Sequence, residues 1–274
     1  MKISILGCGW LGLPLAKRLL EEGHIVRGST TDRDKLSKLT QEGITPYEIK
    51  IYVEGIQGDI TSFLSDAEIL IIDIPPGLRN DPDVNFIGRI GRLKDYLEKS
   101  GVSKVLFVSS TSVYEDEEIF PNYTEMDRAN AENNASKQLI SAEEHLRASE
   151  SYKTTIVRFG GLFGPGRHPV TYLAGKIGIK NPDAPINMIH QSDCIEIISK
   201  IIKNEAWNET FNAVYHEHSS KEAYYTQQAQ ERKLAMPQFD NETPSKGKVV
   251  DSINLKEILG YTFKHNLFSP LEEA

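Results

Sequence analysis

The chain has 274 residues and carries 39 Asp and Glu against 31 Lys and Arg, a formal charge of −8. That balance, with no basic run, argues against a nucleic-acid partner, because phosphate binding requires clustered Lys and Arg. The two cysteines, Cys8 and Cys194, show neither metal-ligand nor disulfide-framework spacing and read as free thiols of a reducing compartment, the cytoplasm.

The first strand is expected over Ile3, Ile5 and Leu6, running into Gly7-Cys8-Gly9-Trp10-Leu11-Gly12. A helix follows, with Leu11, Leu15, Ala16, Leu19 and Leu20 at helical spacing and Pro14 tolerated near its first turn. The arrangement is a strand, a glycine turn and a helix start. Gly7 serves the tight turn, Gly9 the close approach of backbone to a pyrophosphate, and Gly12 the packing of helix on strand. The free N–H groups and partial positive charge of the helix start favour an anion in front of it, flanked by Trp10 and Leu11. These features make a dinucleotide site. Gly7, Gly9 and Pro14 also interrupt what resembles a signal peptide, and no apolar run reaches the length of a membrane span.

Further strands are expected at His24–Ser29, Tyr47–Ile51, Glu68–Asp73, Lys104–Ser109 and Thr154–Phe159. Those near 70 and 106 are continuously apolar, as strands covered on both faces are. Helical stretches at about 83–100 and 131–148 intervene. Alternation of this kind predicts an α/β fold, a Rossmann-type doubly wound parallel sheet. Past Phe159 comes the glycine-rich run Gly160-Gly161-Leu-Phe-Gly164-Pro-Gly166-Arg167-His168. An amphipathic helix from Asp193 to Asn204 follows, with Asp193 as its cap, then a strand at Thr210–Val214 and an exposed loop at about 235–247. The expected organisation is a dinucleotide-binding domain over 1–160, to which 190–214 returns. A small, interleaved substrate lobe covers 161–274.

The end of the second strand bears on coenzyme choice. An Asp or Glu there accepts from the ribose 2′-OH of NAD. Here the chain reads Ser29-Thr30-Thr31-Asp32-Arg33. Hydroxyl donors followed by a guanidinium suit a 2′-phosphate, so NADP is favoured over NAD, with Asp32 as the counter-indication. Ile74, Pro75 and Pro76 give an extended, donor-poor path along the dinucleotide. Arg167 and His168 offer positive charge to an anionic substrate group.

Four segments in order resemble the extended short-chain dehydrogenase/reductases, the NAD-dependent epimerase/dehydratase superfamily. They are the glycine turn, Ser109-Ser110-Thr111-Ser112-Val113-Tyr114, Arg158-Phe159-Gly160-Gly161-Leu162-Phe163-Gly164-Pro165-Gly166, and Ile189-His190-Gln191-Ser192-Asp193. Lys248 to Tyr261 looks like the family's closing segment. The resemblance implies that Ser110, with Thr111 beside it, hydrogen-bonds a substrate oxygen. It implies that Ser109, Gly160 and Gly161 border the nicotinamide, and that Lys137 holds the ribose hydroxyls. Two departures stand out. The turn is Gly-x-Gly-x-x-Gly, not Gly-x-x-Gly-x-x-Gly. The family's Tyr-x-x-x-Lys pair is missing: in one register Asn133 precedes Lys137, in the other the two positions hold Ala135 and Leu139. This matches the atypical members, which keep the fold and coenzyme site. The substrate class is small and polar, or nucleotide-linked, and no metal is expected. A catalytically silent coenzyme sensor is the alternative. Many relatives pair through a helix bundle, a role open to the 83–100 and 131–148 helices in a homodimer.

Overall fold

The computed structural model describes residues 1–78, 81, 83–269 and 271. Seven strands form the central sheet: β1 (Lys2–Leu6), β2 (Ile25–Thr30), β3 (Thr45–Glu48), β4 (Ile69–Ile72), β5 (Lys104–Ser110), β6 (Lys153–Phe159) and β7 (Thr210–Ala213). Their spatial order is β3-β2-β1-β4-β5-β6-β7, and the ladders joining β3, β2, β1, β4 and β5 are parallel. The order reverses between β1 and β4. In doubly wound sheets that switch point, at the carboxyl ends of the strands, is where ligands bind.

The strands read as they do because of what covers them. Ile69, Leu70, Ile71 and Ile72 are all fully buried, as are Ile3 and Ile5 on β1. Helix α1 (Gly12–Glu21) contributes the buried stripe Leu15, Ala16 and Leu19. Helices α2 (Phe86–Leu97) and α3 (Asn134–Arg147) bury Phe86, Ile90, Leu93 and Leu97, and Leu139, Ala142 and Leu146. Each Leu, Ile or Phe among these stabilises the fold by about 1.5–3 kcal/mol relative to leaving it in water.

Two element boundaries differ from expectation for visible reasons. The strand expected at Tyr47–Ile51 starts earlier, at Thr45, and Lys50–Ile51 instead forms a small antiparallel pair with Ile56–Gln57. Pro46 discourages placing a strand there, but β3 is the sheet edge, where a missing N–H costs no ladder bond. Helix α4 (Gln191–Lys203) begins two residues before Asp193. Asp193 is therefore not its cap, and its carboxylate faces elsewhere.

The chain divides into two compact units. The first comprises Met1–Ser110, Asn133–Val157 and Ile195–Thr210; the second, Thr111–Glu132, Arg158–Cys194 and Phe211–Ala274. The second unit thus takes in Thr111–Glu132, which lies inside the span expected for the coenzyme domain. Its own pairings explain this. Asn122–Tyr123 forms a parallel ladder with Val249–Val250, and Glu117 bridges Gly247. Gly161–Phe163 pairs with Met188–His190 in the same unit. Among the described residues, no helix is long and apolar enough to cross a membrane.

Candidate coenzyme site and the residues around it

In the first unit the glycine turn connects β1 to α1 over β4. Gly7 has φ +107°, and a Cβ there would fall 2.2 Å from the Asp73 carbonyl oxygen. At Gly12 a Cβ would fall 2.1 Å from the Gly7 oxygen and 3.1 Å from Asp73 Oδ2. Both positions exclude side chains. Gly9 is the opposite case: it is exposed, and a Cβ would meet nothing within 4 Å. Open space therefore lies above the turn, where a diphosphate needs it. Helix α1 has no cap from its own N-cap residue, Leu11, and no acidic residue in its first turn. Its amino-terminal dipole favours an anion in front of the turn, and Asp73, from the end of β4, accepts from the Gly12 N–H beneath it. The residues present fit a dinucleotide. Trp10 is half-buried and Leu11 buried at the helix start.

Ser29, expected with Thr30 and Arg33 to meet a 2′-phosphate, is buried and engaged with the turn itself. Its Oγ accepts from the Gly7 N–H at 3.0 Å, and its carbonyl accepts from the Cys8 N–H at 2.7 Å. Thr30 Oγ1 accepts from the Asp32 N–H, and Asp32 Oδ1 caps the short turn Arg33–Lys35 by accepting from the Asp34 N–H. Asp32 also pairs with Lys35 at 3.6 Å. Arg33 is exposed. Ile74, Pro75 and Pro76 leave the end of β4 beside the turn, with Pro75 exposed.

Asp73 went unremarked in the sequence. It ends the apolar run of β4 directly under the turn, half-buried. Burial pushes its carboxyl up to about 8, opposed by a hydrogen bond from the Gly12 N–H. The same carboxylate, after burial, helps push the Cys8 thiol up to about 12, so Cys8 is an inert neutral thiol. An acidic residue closing a strand that opens on the glycine turn is the only sequence signal for it.

At the end of β5, Ser109 is buried and donates from Oγ to Glu143 Oε1 of α3 at 2.6 Å. Ser110 is half-buried, with Lys137 exposed on α3. Asn133, the position that faces the missing tyrosine in one register, is the α3 cap: its Oδ1 accepts from the Ser136 N–H at 3.0 Å.

In the second unit, Thr111 is buried and opens the turn Thr111–Val113. Tyr114 and Tyr123 are the nearby phenols. Tyr114 is 1% exposed, accepts from Arg158 Nη1 at 2.7 Å, and lies 2.9 Å from the Thr124 carbonyl oxygen and 3.1 Å from Asn212 Oδ1. Burial, foremost, raises its pKa. Tyr123 stacks on it at 4.7 Å. Both rings are structural. At Gly160 a Cβ would fall 2.7 Å from the Asn187 oxygen, and the Gly161 N–H donates to that same oxygen at 2.7 Å. Arg167 is exposed at the end of a tight loop closed by reciprocal backbone bonds with Gly164. His168, by contrast, is buried. Its Nδ1 accepts from the Val170 N–H, its Nε2 lies 3.3 Å from the Tyr224 hydroxyl, and burial followed by the charge of Arg232 lowers its pKa to about 4. The ring is neutral and supplies no charge to an anion.

His190, Asp193 and His265 gather their ligand-type atoms within 4.8 Å. The two imidazoles are stacked at 4.2 Å, 23° apart, so their in-plane lone pairs run side by side and do not converge. Asp193 accepts from the Tyr261 hydroxyl at 2.5 Å, the Lys264 N–H at 2.8 Å and His265 Nδ1 at 3.0 Å. Its carboxylate anchors the chain's closing segment.

A glycine turn at the switch point of a doubly wound sheet, open above Gly9, fits a dinucleotide-binding protein. The chain belongs to the NAD(P)H-binding family, which matches over residues 7–205. It is 31% identical to Protein YeeZ of Escherichia coli (strain K12) over 99% of both chains. Its fold resembles UDP-glucose 4-epimerase with UDP-glucose from Thermotoga maritima, with a TM-score of 0.79 and 19% identity over 97% of this chain and 95% of that one. It likewise resembles MoeE5 in complex with UDP-glucuronic acid and NAD, with a TM-score of 0.76 and 16% identity over the same shares.

Proposed function

We propose that this chain is a cytoplasmic, NADP-preferring oxidoreductase or epimerase acting on a small polar or nucleotide-linked substrate. The observation that carries the reading is the cradle: an open Gly9 before the start of α1, with backbone oxygens closing off the Cβ positions of Gly7 and Gly12. Preference for NADP is supported by the end of β2. Asp32 is turned into its own cap and pairs with Lys35, while Arg33 is exposed. A guanidinium there forks onto phosphate oxygens.

The coenzyme supplies hydride chemistry when bound. In the first unit Gly7, Gly9 and Gly12 would hold the diphosphate and Ser110 would orient a substrate oxygen; in the second, exposed Arg167 offers charge to an anionic group. The UDP-sugars carried by two of the structural relatives agree with a nucleotide-linked substrate.

Asn133 supports a second reading. It transfers no proton at accessible pKa, and its amide is engaged as a helix cap. A chain with a coenzyme cradle and no tyrosine acid suits a sensor that reports coenzyme redox state without turnover. Monitoring NADPH oxidation across sugar nucleotides and small carbonyl compounds separates the two. Turnover lost in Gly9→Asp and weakened in Ser110→Ala supports the enzyme. Tight NADPH binding with no turnover on any of them supports the sensor.

A further inference from the structure

Asp73 has no part in the function proposed above, yet its placement is unusual. It is a carboxyl at the end of an otherwise apolar strand, immediately beneath the turn on which a doubly negative diphosphate is to sit. Gly12, whose amide donates to this carboxyl, is the first residue of α1, and the Gly12 Cβ position lies 3.1 Å from Asp73 Oδ2. An ionised Asp73 and a bound diphosphate would share one helix amino terminus.

We propose that Asp73 takes up a proton when the diphosphate of the coenzyme docks on the glycine turn, so that coenzyme binding by this chain is proton-linked. The inference rests on the coenzyme reading above. Its physical basis is like-charge repulsion in a partly desolvated site. Placing two phosphate charges over a carboxyl favours the neutral acid, and covering it removes water that the ionised form needs.

The groups around Asp73 do not offset this. From the glycine turn comes Cys8, a neutral thiol. The first turns of α1, Gly12 to Ala16, carry no charge, and neither does Ile74–Leu78. On β5, Val108, Ser109 and Ser110 are uncharged, and Glu143, bonded to Ser109, is not among the groups that move Asp73. Among the described residues, no cation is one of the groups that move Asp73. In the free protein burial holds this carboxyl near 8, so it changes charge within an accessible range.

The test is calorimetric titration of the wild-type protein with NADPH and with NADH at pH 8, in HEPES and in Tris, whose ionisation heats differ. The expected result is uptake of about half a proton per coenzyme bound, with Kd rising about tenfold between pH 7 and pH 9. Asp73→Asn keeps an acceptor for the Gly12 N–H, and its affinity is expected to be flat over that range. NADH lacks the 2′-phosphate, so the same uptake with both coenzymes locates the proton on the protein. Binding with no proton uptake, or an equal pH dependence in Asp73→Asn, overturns the proposal. Failure of the wild type to bind either coenzyme at any pH overturns the coenzyme reading beneath it.

Discussion

The Gly7 N–H donates to Ser29 Oγ at 3.0 Å, a bond that ties the first glycine of the turn to the end of β2 across 22 residues of sequence. The hydroxyl that the sequence offers to a 2′-phosphate therefore also holds the shape of the cradle. Ser29→Ala is expected to leave the Gly7 N–H unsatisfied, destabilising the protein by about 1–2 kcal/mol, and to weaken NADPH and NADH alike. Urea denaturation and coenzyme titration check it. A selective loss of NADPH affinity would return Ser29 to the 2′-phosphate.

Gly9 and Gly12 separate binding from folding. Gly9→Asp places a carboxylate in open space, so stability should change by no more than about 0.5 kcal/mol. Coenzyme affinity should fall at least about tenfold through like-charge repulsion. Gly12→Ala drives a methyl to 2.1 Å from the Gly7 oxygen and should destabilise by about 2–3 kcal/mol through overpacking. The two variants should part company in thermal melts. An unstable Gly9→Asp would contradict the open cradle. Trp10, beside the turn, gives a fluorescence readout of binding once Trp207 is replaced by Phe.

Arg33 decides between coenzymes. Arg33→Ala should cost NADPH about 1.5–3 kcal/mol of binding, the size of a charge-assisted hydrogen bond, and leave NADH nearly unchanged. Equal effects on both, or none, would remove the guanidinium from the 2′-phosphate and return attention to Asp32.

The glycine turn, the buried strands and the order of β and α elements were legible because they depend on local chemistry: glycine where Cβ cannot fit, and unbroken apolar runs where both faces are covered. What stayed hidden depends on distant partners. Asp73 meets Gly12 from 61 positions away, and only the β1–β4 pairing brings them together. His168 follows an Arg in a glycine-rich loop and reads as exposed, but Tyr224, 56 residues on, takes it into the core of the second unit. Asp193 has the type and position of a cap, and only the return of Tyr261–His265 shows what it holds.

The burial of His168 carries a pH signature whose sign is fixed. Its pKa is 6.5 in the unfolded chain and about 4 in the fold. Between those values the unfolded state holds a proton that the native state lacks, so stability falls as pH drops through the window, by about 1.4 kcal/mol per unit and about 3 kcal/mol in all. Asp73 acts in the opposite direction. Its folded pKa, about 8, lies above the unfolded 3.8, so its contribution is complete at low pH and is lost as pH rises towards 8. Over pH 4–6.5 the two slopes offset each other, and a wild-type profile alone hides both. The stability difference between wild type and His168→Gln, measured by urea denaturation at several pH values, isolates the first. It should move against the wild type as pH falls from 6.5 to 4. Asp73→Asn isolates the second, becoming more stable relative to wild type as pH rises from 4 to 8. A wild-type minus His168→Gln difference that stays constant from pH 7 to pH 4 would mean that the imidazole is protonated in the folded protein, and the buried, neutral His168 would have to be abandoned.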